Sequence, residues 1–374
     1  MSTPSVSRVS PSVLLAGLCV LGIAVSQGVV LRSLASVQQR LASAEERLRT
    51  QEYATSTAPI VPEVVTPAVS LNRVYSLPEA LRGGRVSPTL PLFKKDPRDA
   101  ERLSLEQVDG FAIALTNDGW IALPATALPS KKLSDVRIGW RGKLYTPTQG
   151  MIDTATGIAF VRIPAQDLPI AALTTKADIA IGQGVWIEDR RGGYSVSSLE
   201  RIDQSTGGVV VSSDTWNKRF FLSGLRSTSA AVWDERGRLV GVALDDEALL
   251  PAEALRTALT SILAKGDIRR PSLGVTYVDT AYTYTAQEGA PVRGAIVSLD
   301  KKLPANAPVR QWLRDGDVIE RIERDVLDAN WSLAERLAEY QATATVTVAG
   351  QRQGVPFEVR ATLAERVTSE VLTP

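Results

Sequence analysis

Serine, threonine and lysine are the residues of this chain that could carry nucleophilic chemistry, because histidine is absent from all 374 positions. A serine or threonine hydroxyl is a weak nucleophile at neutral pH and needs a neighbouring base to take its proton. Without imidazole the usual base, the physiological-pH proton shuttle and the commonest metal ligand are all missing. Cys19 is the only cysteine, so neither an intrachain disulfide nor a thiolate metal cluster can form. A lysine can replace histidine as the base, but only where burial lowers its pKa. Lys131, Lys132 and Lys218 stand in polar stretches and are expected to be solvated surface charges. Asp245 and Asp246 are adjacent, and neighbours on a strand point to opposite faces, so they read as a surface turn. The expectation is no metal and no cofactor.

The elements that would position any site follow from the pattern along the chain. Apolar residues make up 44% and charged residues 22%, with a net charge of +1. That is globular usage without the clustered basic footprint of a nucleic-acid binder. After a tail over 1–12, the uncharged run Val13 to Leu31 has nearly the length of a membrane-spanning helix and is read as a transmembrane anchor. A cleavable signal peptide competes, since Ala24 and Ser26 have the small-x-small spacing of a cleavage site. Leu34, Val37, Leu41, Ala44 and Leu48 form an a/d seam, read as a short coiled-coil helix over 32–52 that could help chains associate into a homo-oligomer. Residues 53–105 read as a Pro-rich stalk and a loop-rich lead-in.

From 106 to 266 short strands alternate with turn signals, the mark of an all-β barrel or sandwich. FAIAL and WIAL flank Asn117-Asp118-Gly119, and VRIGW and KLYT flank Arg141-Gly142, each a hairpin pattern. Helical spacing follows at 251–266, with Leu255, Leu259, Ile262 and Leu263 on one face, Pro251 at the start and Gly266 at the stop. Residues 267–366 read as a smaller α+β unit with strands LGVTYV, GAIVSL, DVIERI, ATVTV and PFEVRATL and a helix near 332–340. Residues 367–374 read as a tail.

These segments occur in a known order. GFAIALTNDGWIALPATAL, DTATGIAFVRI, GQGVWIEDRRGGYSVSSLERI and GLRSTSAAVWDERGRLVGVAL resemble, in turn, the landmark segments of the HtrA/Deg family of trypsin-like serine proteases. IRRPSLGV and GAIVSLDKKLPANAPVRQWLRDGDVIERIERDVL resemble a PDZ domain. The resemblance covers roughly 106–366. It implies a mainly β fold: a trypsin-like double β-barrel followed by an α+β PDZ domain, with an N-terminal transmembrane helix. It also implies a single-pass protein of a bacterial-type inner membrane, with its C-terminal body in the periplasm. The basic residues Arg32, Arg40, Arg47 and Arg49 argue for the opposite orientation.

Carried over position by position, the family's active site is degenerate. Its histidine falls on Thr126 and its aspartate on Gly157. Its Gly-Asn-Ser-Gly-Gly-Pro loop aligns with Arg226 to Ala231, so the nucleophile falls on Thr228, or on Ser229 if the alignment shifts by one. Arg226 replaces the glycine that turns a backbone N–H toward the oxyanion. Asp153, where the family often has an acidic residue, reads as structural.

The PDZ resemblance implies a peptide bound as an added strand on a sheet edge. Ser272, Leu273, Gly274 and Val275 would cap a terminal carboxylate, and Leu333 and Leu337 would either wall the groove or fill the core. The expected protein is a pseudoprotease that scaffolds or regulates proteolysis. Its expected partners are polypeptides or C-terminal peptides, with an active paralogous protease as a further candidate. An active endopeptidase with a non-histidine base and an envelope protein with a blocked PDZ groove stand as alternatives.

Overall fold

The computed structural model describes residues 87–94, 103–189, 192–204, 210–216, 218–224, 231–244, 248–280, 293–299, 308–328 and 331–374. All belong to the second of two units into which the chain divides, Val74–Pro374. The anchor 13–31, the coiled-coil segment, the stalk up to residue 86 and Asp245-Asp246 lie outside the described residues. Among the described residues no helix is long and apolar enough to cross a membrane.

The first sheet contains β1 (Thr89–Lys94), β2 (Gly110–Ala114), β3 (Trp120–Pro124), β4 (Val136–Trp140), β5 (Lys143–Tyr145), β6 (Gln149–Asp153) and β7 (Ile158–Arg162). Its order is β6-β7-β3-β2-β1-β4-β5. The β2–β3 hairpin turns on Gly119, at φ +113°, where a Cβ would meet the Ile163 carbonyl oxygen at 2.1 Å. No other residue fits there. Arg141 and Gly142 both take positive φ, the requirement of a tight hairpin turn between β4 and β5. Leu90, Leu92, Ile121, Leu123, Ile138 and Val161 fill the core of this sheet.

The second sheet is a closed barrel of β8 (Gly184–Glu188), β9 (Tyr194–Gln204), β11 (Lys218–Leu222), β12 (Ala231–Trp233), β13 (Leu239–Ala243) and β14 (Ala248–Pro251). Helix α1 (Ala252–Lys265) follows and ends at Gly266, whose φ of 72° lets its N–H reach back to the Ile262 carbonyl. Its buried stripe is Ala252, Ala254, Leu255, Ala258 and Ile262. Leu263, expected on that face, is exposed. The small alanines let the helix approach the barrel, which turns its buried face away from Leu263.

The third unit carries β15 (Arg269–Ser272), β16 (Thr276–Asp279), β17 (Ala295–Ser298), β18 (Val318–Ile322), β19 (Asp325–Val326), helix α2 (Leu333–Leu337), β20 (Thr345–Arg352) and β21 (Val355–Thr362). Its main sheet runs β16-β17-β18-β20-β21 and gains a further strand at the β16 edge, β10 (Val210–Ser212). That strand comes from the middle of the barrel segment.

Two boundaries differ from expectation. The lead-in before residue 106 contains β1, a central strand with Leu90 and Leu92 buried. Pro91 disguises it, since proline demotes a strand pattern. Gly139 makes room for that ring, because a Cβ there would stand 2.9 Å from the Pro91 Cγ. The tail over 367–374 is ordered. β22 (Ala364–Val367) pairs with β15, and β23 (Ser369–Val371) pairs with β6 of the first sheet. Leu372 is buried in that sheet's core.

Candidate functional site

Two places in the fold could carry function. The first is the loop pair at the ends of β3 and β7. Pro124 and Ile158 are strand partners, and the Ala125 N–H donates to the Gly157 carbonyl at 2.9 Å. Thr126 on its 3-10 turn and Gly157 at φ +78° are therefore neighbours. Both are exposed. The two positions assigned from sequence come together, and neither carries an ionisable group. Arg226, Thr228 and Ser229 lie outside the described residues. Four residues before Gly157, Asp153 is fully buried and paired with Arg270. It also accepts from Thr156 Oγ1 at 2.7 Å and Thr368 Oγ1 at 3.0 Å. Its lone pairs are committed to holding β6, β15 and the segment before β23 together, which is a structural role.

The lysines divide. Lys131 is exposed and pairs with Glu370, and Lys132 is exposed. Lys218, expected on the surface, is completely buried. It opens β11 and lies 3.7 Å from Glu335 on α2. Burial pulls its pKa below the ordinary lysine value, while Glu335 pulls the other way. Lys176 Nζ donates to the other Glu335 oxygen at 2.9 Å and sits 4.5 Å from the centroid of the Trp331 ring. Glu335 also accepts from the Ser332 N–H and Oγ, both at 2.9 Å, as the capping box of α2. One buried carboxylate thus binds two lysines of the barrel segment to a helix of the third unit.

The second place is the β16 edge, and it is occupied. β10 runs antiparallel to β16, with Val211 opposite Tyr277 and Ser212 opposite Thr276. The Ser213 N–H continues the ladder to the Val275 carbonyl at 2.9 Å. Val211 is buried in the same core as Leu273, Val275, Tyr277, Leu333 and Leu337. Ser272 is buried, and its Oγ stands 3.1 Å from the Ser213 Oγ. Gly274 takes φ +71°, and its N–H donates to Ser272 Oγ at 3.0 Å. That donor, expected to meet a peptide carboxylate, is used within the loop. Leu333 and Leu337 are wholly buried. The residues missed from sequence are Val211, Lys176 and Glu335. Only the Ser332-x-x-Glu335 capping pattern could have signalled any of them.

A separate cavity of about 630 Å³ lies beside β1 and β8 and includes Glu188. Burial pushes the Glu188 carboxyl up, against hydrogen bonds from Thr89, Trp233, Tyr194 and Ser87. A carboxylate held by four donors is a structural acceptor. No group of three or more acidic, cysteine or histidine side chains among the described residues could hold a metal.

This arrangement of sheets has solved counterparts. The HtrA-type protease AlgW with decapeptide aligns over 75% of this chain and 97% of its own, with a TM-score of 0.50 and 18% identity. The chain has the fold of an HtrA-type protease. A second AlgW structure, the S227A form with tripeptide, gives a TM-score of 0.50 and 16% identity over 76% of this chain and 96% of the other. In sequence, the periplasmic pH-dependent serine endoprotease DegQ of Escherichia coli (strain K12) is 25% identical over 190 residues. That match takes in 49% of this chain and only 40% of the length of DegQ. No protein-family model matches. The HtrA likeness expected from the ordered segments is thereby supported by both sequence and fold.

Proposed function

We propose that this protein is a pseudoprotease: an HtrA-like body, tethered through 13–31 with its C-terminal part in the periplasm, that binds polypeptides instead of cutting them. The observation that carries the reading is the absence of any histidine, together with the meeting of Thr126 and Gly157 where a base and its orienting acid would stand. A hydroxyl there has no group to take its proton. Peptide binding belongs to the PDZ-type part, whose β16 edge and α2 form the frame for strand addition. Its role is then that of a scaffold or of a regulator of a proteolytic partner.

Lys218 favours a second reading, hydrolysis with a lysine base, because it is buried and its pKa is lowered. One experiment separates the two: fluorophosphonate labelling and casein turnover by the full-length chain, beside Thr228→Ala, Ser229→Ala and Lys218→Met. The pseudoprotease is expected to show neither labelling nor turnover. Labelling at Thr228 or Ser229, or turnover lost on any of these substitutions, would refute it.

A further inference from the structure

Resting on the peptide-binding reading, we infer that Val210–Asp214 is a built-in ligand: it fills the strand-addition site on β16, and an external peptide binds only by displacing it. The geometry is that of a bound peptide throughout. The segment adds antiparallel to the sheet edge. Its direction carries its C-terminal end toward the loop Ser272 to Val275, where the Ser213 N–H meets the Val275 carbonyl. Its apolar anchor is Val211, which enters the core shared with Leu333 and Leu337. Three residues on, the buried Asp214 carboxylate is held by Arg366 Nε at 2.8 Å and by Ser212 Oγ.

The occupant defines the chemistry of what could replace it. A competing ligand is an extended peptide with a β-branched apolar residue in the place of Val211. It carries a carboxylate about three residues later, from an acidic side chain or a chain terminus, in the place of Asp214. The ion cluster explains why the built-in segment stays in place. Lys218 stands on β11, the strand that follows this segment, and Lys176 on the turn before β8; both are held to α2 through Glu335. While that cluster is intact, the barrel segment remains on the third unit and the segment at 210–214 is held at high effective concentration. Displacement therefore couples ligand binding to movement of the barrel strand that precedes the Thr228 loop.

The pairing also supplies a lock. Ser213 and Val275 form a hydrogen-bonded pair, so by alternation Ser212 and Thr276 are a non-hydrogen-bonded pair with Cα atoms about 4.5 Å apart. Cysteines at those positions can bridge. The test uses the full-length chain carrying Cys19→Ala, Ser212→Cys and Thr276→Cys. A fluorescein-labelled Val-Val-Ser-Ser-Asp peptide is the probe, read by fluorescence polarisation. The oxidised protein is expected not to bind, and reduction is expected to restore binding. In the otherwise unsubstituted chain, Val211→Asp is expected to tighten binding at least about tenfold, since apparent affinity scales with the open fraction. Equal binding by oxidised and reduced protein overturns the inference and leaves peptide binding elsewhere intact. Hydrogen exchange at β16 separates the remaining case. If the reduced or Val211→Asp protein releases the edge and still binds no peptide, the peptide-binding reading falls as well.

Discussion

Glu335→Gln tests the ion cluster that joins Lys176 and Lys218 of the barrel segment to the helix α2 of the third unit. The glutamine amide oxygen can still accept from the Ser332 N–H and hydroxyl, so the capping box of α2 survives. What is lost is the negative charge facing Lys176 at 2.9 Å and Lys218 at 3.7 Å. Glu335, Lys176 and Lys218 are 2%, 7% and 0% exposed, so water cannot screen the lysines once that charge is gone. Removing one partner of a buried pair costs about 3–5 kcal/mol. Lys176 keeps its contact with Trp331, which places the expected loss near 3 kcal/mol, at the lower end of that range.

Lys218→Met is expected to behave differently. Its contact with Glu335 is long, at 3.7 Å, and burial lowers its pKa against the attraction of Glu335, Asp279 and Asp328. Glu335 keeps Lys176 at 2.9 Å, so Lys218→Met strands no carboxylate and is expected to be close to neutral. In the Glu335→Gln background, where it takes away a buried charge that has lost Glu335, it should recover part of the loss. The pH sign agrees. Between the lowered folded value and the ordinary 10.5 the unfolded chain binds more protons, so stability from this site rises with pH. Lys218→Met removes that slope. Urea unfolding followed by tryptophan fluorescence reads the effect, and a loss of about 3 kcal/mol moves the midpoint by about 1–3 M. A Glu335→Gln midpoint equal to that of the wild type, or a double variant less stable than Glu335→Gln alone, would refute the reasoning.

Two further predictions concern other parts of the fold. Leu372 is buried against the first sheet, so Leu372→Ala should cost about 2–3 kcal/mol, and deletion of 369–374 at least as much; unchanged unfolding midpoints would return this segment to the status of a tail. Glu188 has a folded pKa above 4.5, so the native state binds the extra proton. Its contribution to stability is present below 4.5 and lost as pH rises through the folded value. Midpoints measured from pH 7 down to 4.5 should therefore show a component in the wild type that Glu188→Gln lacks, and identical slopes would contradict that assignment.

Much of this molecule was legible from local pattern. The β2–β3 turn at Gly119, the hairpin at Arg141-Gly142 and the stop of α1 at Gly266 each rest on a backbone conformation that glycine makes possible, and glycine is visible in a string of letters. Most of the strands themselves followed from alternation and from the resemblance of whole segments. β1 was hidden because Pro91 breaks the local rule, and Gly139 across the sheet compensates for it. Leu263 was misplaced on the buried face because period alone does not say which side of a helix meets the barrel.

The lack of histidine needed no structure. It restricts proton transfer at any hydroxyl of this chain, however the chain folds, because a residue type that is absent cannot be supplied by packing. Burial and pairing partner were a different matter. Lys218 stands between polar neighbours and reads as a surface charge, yet the third unit closes over it and Glu335 meets it from 117 positions away in the chain. Val210–Ser212 falls within the 106–266 stretch whose short strands read as a barrel or sandwich, and only the tertiary arrangement assigns it to the edge of another sheet. Hydrogen-bonding capacity at a strand edge is the same for every partner, so sequence specifies that an edge will be filled, and the folded geometry decides by what.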